Sequence, residues 1–275
     1  MTLTLGGAAA NAAVQAAPPP APTAAVARPL VTLSGVRKEF STGTLALAGL
    51  DLAVGQHEFV SLLGPSGCGK STALRLIAGL GRPTGGRIEF AEPEGVGEVG
   101  FVFQEPTLLP WATVFDNVRL PLRLAGRSRA IARDEIMAVL ATVGLDAFAN
   151  AYPRELSGGM RMRVSIARAI VTRPRVLLMD EPFAALDEIT RFRLNNDLLR
   201  LWQSESWTVV FVTHSVYESV YLSQRIVVMA ARPGRVAADI PVPAPYPRDD
   251  AFRTSEAYNA HCRLVSAELH RAMGE

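Results

Sequence analysis

Lysine is nearly missing from this sequence. Only Lys38 and Lys70 occur among 28 basic residues, so arginine supplies the other 26. Each position that keeps a compact ammonium where the chain otherwise prefers a planar guanidinium is therefore informative. Cysteine is as scarce. Cys68 and Cys262 are too few for a disulfide framework and lack metal-ligand spacing. Charge of one sign is also missing: 28 basic residues face 26 acidic ones, without the strong basic excess of a dedicated nucleic-acid binder. No apolar run approaches the roughly 18 residues needed to cross a bilayer. If the protein serves a membrane, another chain does the crossing.

What is present is a large apolar fraction, 49% of 275 residues, enough for a sizeable core. Residues 1–29 are rich in Ala and Pro and contain Pro18-Pro19-Pro20. They lack the basic start and leucine-rich centre of a signal peptide and read as a disordered tail. His57–Leu63, Arg175–Met179, Thr208–Val212 and Arg225–Ala230 are short runs, apolar on both faces, as in a central parallel sheet. Between them, Ser71–Ala78, Ser157–Val171 and Thr190–Trp202 carry helical spacing. Strand and helix in alternation predict an α/β fold. Val31–Val54 alternates apolar and polar residues with Gly turns, which predicts a small antiparallel sheet. The stretch from about 106 to 160 has one helical pattern, Ala130–Val143, and no buried-strand run, so it reads as an inserted helical subdomain.

Gly64-Pro65-Ser66-Gly67-Cys68-Gly69-Lys70-Ser71 fits the phosphate-loop pattern G-x-x-x-x-G-K-[ST]. The glycines let backbone N–H groups converge on a phosphate, and the helix that follows adds its positive N-terminal end. Lys70 is expected to reach the β- and γ-phosphates and the Ser71 hydroxyl to bind Mg²⁺, with Thr72 completing the ATP-binding run. Cys68 lies beside a helix N-terminus, a setting that lowers a thiol pKa; it reads either as a small residue tolerated in the loop, the favoured reading, or as a reactive thiol that alkylating reagents modify and Mg-ATP protects.

Arg175–Met179 runs into Asp180 and Glu181. Asp180 at the strand end is the expected Mg²⁺ partner, and Glu181 is then placed to polarise the attacking water as general base. A lone histidine after an apolar strand is more often structural. Following a phosphate loop and an Asp-Glu pair, His214 reads as a γ-phosphate contact. Gln104, after the β-like run Gly100–Phe103, completes the expected Mg²⁺ and water shell.

At Leu156-Ser157-Gly158-Gly159-Met160 these motifs acquire a family. The set resembles the ATPase domains of ABC transporters, whose signature is LSGGQ. Phosphate loop, Gln104, LSGGM, Asp180-Glu181, Ala185-Leu186-Asp187 and His214 follow in the ABC order across about residues 30–235. The resemblance implies a P-loop NTPase (RecA-like) core and a head-to-tail dimer that buries two ATPs. Ser157, Gly158 and Gly159 of one subunit would face the γ-phosphate held by the other, with Asp187 at the dimer contact. Phe40 matches the aromatic that stacks on adenine. The region after Gln104 would receive a coupling helix of an integral membrane permease. Leu108–Val118, Glu181–Thr190 and Met229–Arg235 resemble the nitrate/sulfonate/taurine group of bacterial importers. That group implies a periplasmic substrate-binding protein and a cytoplasmic position on the inner face of the membrane.

Two residues depart from the family pattern. Met160 closes the signature where Gln is usual, and Met162 stands before Arg163 where Gln is usual, so a donated hydrogen bond is lost there. Residues 236–275 read as a C-terminal extension with a terminal helix, Ser255–Ala272, without room for the regulatory domain of some sugar importers. The competing readings fit less well. A soluble ABC ATPase of DNA repair would carry a long coiled-coil insertion, a translation-type factor two cassettes, and a P-loop kinase would leave LSGGM and His214 unexplained.

Overall fold

The computed structural model describes residues 29–91, 99–205, 207–231 and 233–274. The expected disordered tail lies outside the described residues except for Pro29. The chain opens with β1 (Pro29–Glu39) and β2 (Leu45–Gly55), which pair antiparallel across a short turn that includes Gly43 at φ +79°. Val31, Leu33 and Val36 face Val54, Leu52 and Leu50 in register. Then come β3 (Phe59–Leu63), α1 (Lys70–Ile77), β4 (Gly85–Phe90) and β5 (Val99–Val102). β4 adds to the free edge of β1, giving a three-stranded sheet in the order β2-β1-β4. Its sequence, GGRIEF, carries too few buried apolar residues to announce a strand.

The next segment holds α2 (Val114–Leu124) and α3 (Arg129–Thr142), followed by two short 3₁₀ turns and α4 (Gly158–Ile170). α2 is a second helix where the sequence pattern predicts only Ala130–Val143, and it contains Pro121. A proline there removes one backbone hydrogen bond. The helix forms nonetheless: Thr113 caps its first turn by accepting from the Asp116 N–H, and Val114, Phe115, Val118 and Leu122 bury one face.

The remaining elements are β6 (Val176–Asp180), α5 (Glu188–Glu205), β7 (Thr208–Thr213), α6 (Val216–Leu222), β8 (Arg225–Ala230), β9 (Arg235–Pro241), α7 (Asp250–Thr254) and α8 (Glu256–Met273). The main sheet runs β5-β6-β7-β3-β8-β9. Its first five strands are parallel and β9 closes the edge antiparallel to β8. β9 begins at Arg235 and so crosses the expected boundary at 235/236. Every residue of β3, β6, β7 and β8 is buried, as their unbroken apolar runs require.

Successive side chains of these strands alternate between two cores. Phe59 and Leu63 face the layer built from α2 to α6 and α8. Val60 and Leu62 face α1 and the antiparallel sheet. One bridge, Leu47 to Gly234, links the two sheets. The expected helix Ser255–Ala272 is α8, with Ser255 capping it by accepting from the Tyr258 N–H. Among the described residues, no helix is long and apolar enough to cross a membrane.

Candidate functional site

Gly64 to Gly69 join β3 to α1. Gly67 and Gly69 hold φ of +78° and +94°, conformations costly for any residue with a Cβ. A Cβ on Gly69 would also meet Leu47 Cδ2 at 2.7 Å and Ala46 O at 2.9 Å, so the loop is wedged against β2. Gly69 is the N-cap of α1 and offers no side-chain acceptor. No side-chain cap therefore occupies the first turn of α1, where N–H groups favour an anion. Lys70, 4% exposed, donates to the carbonyl oxygens of Gly64 (2.7 Å) and Pro65 (3.0 Å) and lies 3.8 Å from Glu181 Oε1. Its charge is thus aimed back into the mouth of its own loop.

Two strand ends meet α1 at this point. The Ser71 hydroxyl donates to Asp180 Oδ1 at 2.7 Å. Burial pushes the Asp180 carboxyl up from its ordinary value, and so does Glu181. The Ser71 hydrogen bond and the charges of Arg75 and Lys70 pull it down. The next residue, Glu181, has φ +46° although it is not glycine. Such backbone strain persists only where surroundings enforce it; here the Glu181 N–H donates to Val212 O of β7 at 3.0 Å. The turn aims the carboxylate between two bases: Oε1 toward Lys70 and Oε2 to 3.2 Å from His214 Nδ1.

A cavity of about 700 Å³ is lined by Ser66, Gly67, Gly69, Lys70, Ser71 and Thr72, together with Gln104, Glu181, Thr44, Leu45 and Ala46. Residues from four separate motifs thus share one concavity or touch its wall. Thr44 to Ala46 were not foreseen. They belong to the β1–β2 turn and the start of β2, whose alternation predicts a sheet but not which end approaches the loop. Gly234 was not foreseen either. Its N–H donates to Ala46 O and its carbonyl accepts from Ala48, each at 3.0 Å, and a Cβ there would lie 2.1 Å from Cys68 O. It backs the phosphate loop from behind; the sequence places it within Met229–Arg235, with no sign that it meets the loop.

The other expected site residues lie off this cavity. Phe40 is 45% exposed, its ring 5.4 Å from Lys38 Nζ, and its N–H donates to the carbonyl of the cavity residue Thr44. Ser157 caps α4 by accepting from the Met160 N–H at 3.2 Å. Gly159 allows close packing: a Cβ would meet Thr190 Cγ2 at 2.7 Å. The Asp187 carboxyl accepts from the Thr190 N–H, which holds it below its usual range.

Of the two readings of Cys68, the small packed residue fits the structure. It is fully buried, with Sγ turned toward Lys70 Nζ at 3.9 Å. Burial pushes its thiol up, and the Lys70 charge only partly opposes this. The residue is a packing element behind the loop rather than a reactive thiol at its mouth. Met162 is likewise buried and packs in the larger core.

A strand, a glycine-bent loop and a helix that opens on a buried lysine, with a second strand acid bonded to the adjacent serine, define a P-loop nucleoside triphosphatase. The ABC transporter family model matches residues 47–184. An uncharacterized ABC transporter ATP-binding protein of Methanocaldococcus jannaschii is 49% identical over 207 residues, 74% of this chain and 78% of the relative. The aliphatic sulfonates import ATP-binding protein SsuB of Rhodopseudomonas palustris is 46% identical over 227 residues, 82% of this chain and 78% of that protein. Among solved structures, a dimeric ATP-binding cassette in a post-hydrolysis state, bound to ADP and Pi, superposes with a TM-score of 0.68 at 33% identity. That match covers 78% of this chain and 99% of the cassette. The chain belongs to the ABC transporter family, as an ATP-binding, ATP-hydrolysing member.

Proposed function

We propose that this chain powers an ABC importer for a small nutrient of the nitrate/sulfonate/taurine type. It works as a head-to-tail dimer on the cytoplasmic face of the membrane, beneath a separate integral membrane permease that a periplasmic binding protein supplies. The import assignment follows from the sulfonate-import relative and from the importer-group motifs of the sequence. The dimer follows from the dimeric cassette.

The observation that carries the chemistry is the position of Glu181 between Lys70 and His214, at 3.8 and 3.2 Å. Lys70 and the N–H groups of the loop bind the β- and γ-phosphates of ATP. Glu181 takes the proton of the attacking water, and His214 orients both the Glu181 carboxylate and the γ-phosphate. Ser157, Gly158 and Gly159 of the second copy supply donors to the far side of that phosphate, and Phe40 stacks on adenine. Mg²⁺ fits the oxygen donors gathered here, namely the Ser71 hydroxyl, the Asp180 carboxylate to which it donates, and the Gln104 side chain in the same cavity. When bound it neutralises charge on the phosphates.

The test is steady-state ATP hydrolysis and gel filtration of Glu181→Gln beside the parent. Loss of at least about 100-fold in turnover, with a dimer appearing only in ATP, is expected. Hydrolysis at the parent rate would overturn the base assignment.

A further inference from the structure

Glu218 is a buried acid with no part in the chemistry above. It lies in the first turn of α6, four residues after His214, and is 8% exposed. Its two oxygens face different partners. Oε2 accepts from the Thr213 hydroxyl at 2.6 Å, and the same hydroxyl accepts from the Ser215 N–H at 3.0 Å. Both residues flanking His214 are therefore tied to this carboxylate. Oε1 faces Arg191 Nε of α5 at 3.8 Å, beyond hydrogen-bond length. Among the described residues, neither that oxygen nor that Nε reaches hydrogen-bond geometry, although the buried Asn195 amide lies close enough to Glu218 to favour its charged form.

Arg191 continues the connection. Its guanidinium donates to Leu186 O at 3.0 Å, and its backbone N–H donates to Asp187 O at 2.9 Å. A line of contacts thus runs from the Ala185–Asp187 turn through Arg191, Glu218 and Thr213 to His214, with one loose joint. The acid is buried and the arginine half-buried, and at this separation the Oε1–Nε pair recovers less of its desolvation than a hydrogen-bonded pair would. A joint of this length closes or opens with sub-ångström shifts of α5.

We propose that Glu218 is a positioning residue. Through Thr213 and Arg191 it holds His214 in register with the Ala185–Asp187 turn, so that contact of that turn with a second copy of the chain is transmitted to His214. This rests on the reading that Asp187 meets the second copy and His214 meets the γ-phosphate.

Steady-state hydrolysis by the full chain, measured across ATP concentrations, tests it. Glu218→Gln keeps an acceptor for Thr213 but turns an amide toward Arg191; Arg191→Met removes the cation; Thr213→Val and Thr213→Ser remove and retain the hydroxyl. Expected is a fall in kcat of about tenfold for Glu218→Gln, Arg191→Met and Thr213→Val, with KM for ATP within about twofold of the parent. Thr213→Ser keeps the parent kcat, and Glu218→Gln/Arg191→Met falls no further than the worse single variant. Parent-like kcat in Glu218→Gln and Arg191→Met overturns the proposal. So does a multiplicative loss in the double variant, or a fall in kcat accompanied by a raised KM and a lowered urea midpoint. His214→Ala, run in parallel, separates the two levels. If it hydrolyses like the parent, the site reading fails with the proposal. If it is impaired while Glu218→Gln is not, only the proposal fails.

Discussion

Ser71 and Asp180 stand 109 residues apart in the chain and share a hydrogen bond of 2.7 Å. The bond joins the first turn of α1 to the end of β6, and it ties the phosphate loop to the acid pair that completes the site. Ser71→Ala should lower ATP turnover at least about 100-fold. It should also cost about 1–3 kcal/mol of folding stability, because a buried carboxylate oxygen loses its donor. Kinetics and urea denaturation of the same preparation check both parts; an intact turnover would remove Ser71 from the site.

Gly234 touches the loop from the opposite side. Gly234→Ala adds a Cβ at 2.1 Å from Cys68 O and 2.9 Å from Ala46 O. Both obstacles are backbone, so the loop or β9 must shift. ATP affinity should weaken about tenfold or more and stability fall by about 1–3 kcal/mol. Equilibrium binding of a fluorescent ATP analogue reads the first effect. Unchanged affinity would show that the loop tolerates displacement from behind.

Cys68 is buried with a raised pKa. In the native protein at pH 7 it should resist iodoacetamide, equally with and without nucleotide, and become labelled in urea. Mass spectrometry of the tryptic peptide distinguishes this from a reactive loop thiol, which ATP alone would protect.

Asp239 supplies a pH prediction. Burial pushes its carboxyl up, against the charge and hydrogen bond of Arg225, which donates to it at 2.8 Å. The folded state therefore holds this proton more tightly than the unfolded chain does. The resulting stability is fully present below the unfolded carboxyl pKa of about 4 and is lost as pH rises through the higher folded value. The urea midpoint of the parent, relative to that of Asp239→Asn, should fall as pH is raised from about 4 to 7. A difference that grows over that window would mean that pairing with Arg225 outweighs burial.

The parts of this fold legible in the sequence are those whose signal is local. β3, β6, β7 and β8 are buried on both faces, and their apolar runs say so directly. The phosphate loop is legible because phosphate chemistry demands glycine and lysine at fixed spacing. β4 and β9 were not legible, since a half-exposed strand such as GGRIEF or RVAADIP takes its identity from the neighbour it pairs with. Nor was α2, where the local cost of Pro121 is outweighed by the face that the helix buries. At the site, Lys70, Ser71, Asp180, Glu181 and His214 were named from motif order, and they meet by direct contact. The positive φ of Glu181, the inward turn of Cys68 and the support from Gly234 are tertiary facts. They depend on β7, β8 and β9 arriving where they do, and no spacing within the loop encodes them.

The contact between Gly234 and Cys68 also orders events during synthesis. The phosphate loop is translated 166 residues before the glycine that backs it, an interval on the order of ten seconds at typical elongation rates. For that time the emerging chain holds its complete nucleotide-binding motif without its rear support. A nascent fragment that ends before Gly234 therefore presents the phosphate loop without the backbone that packs behind Cys68.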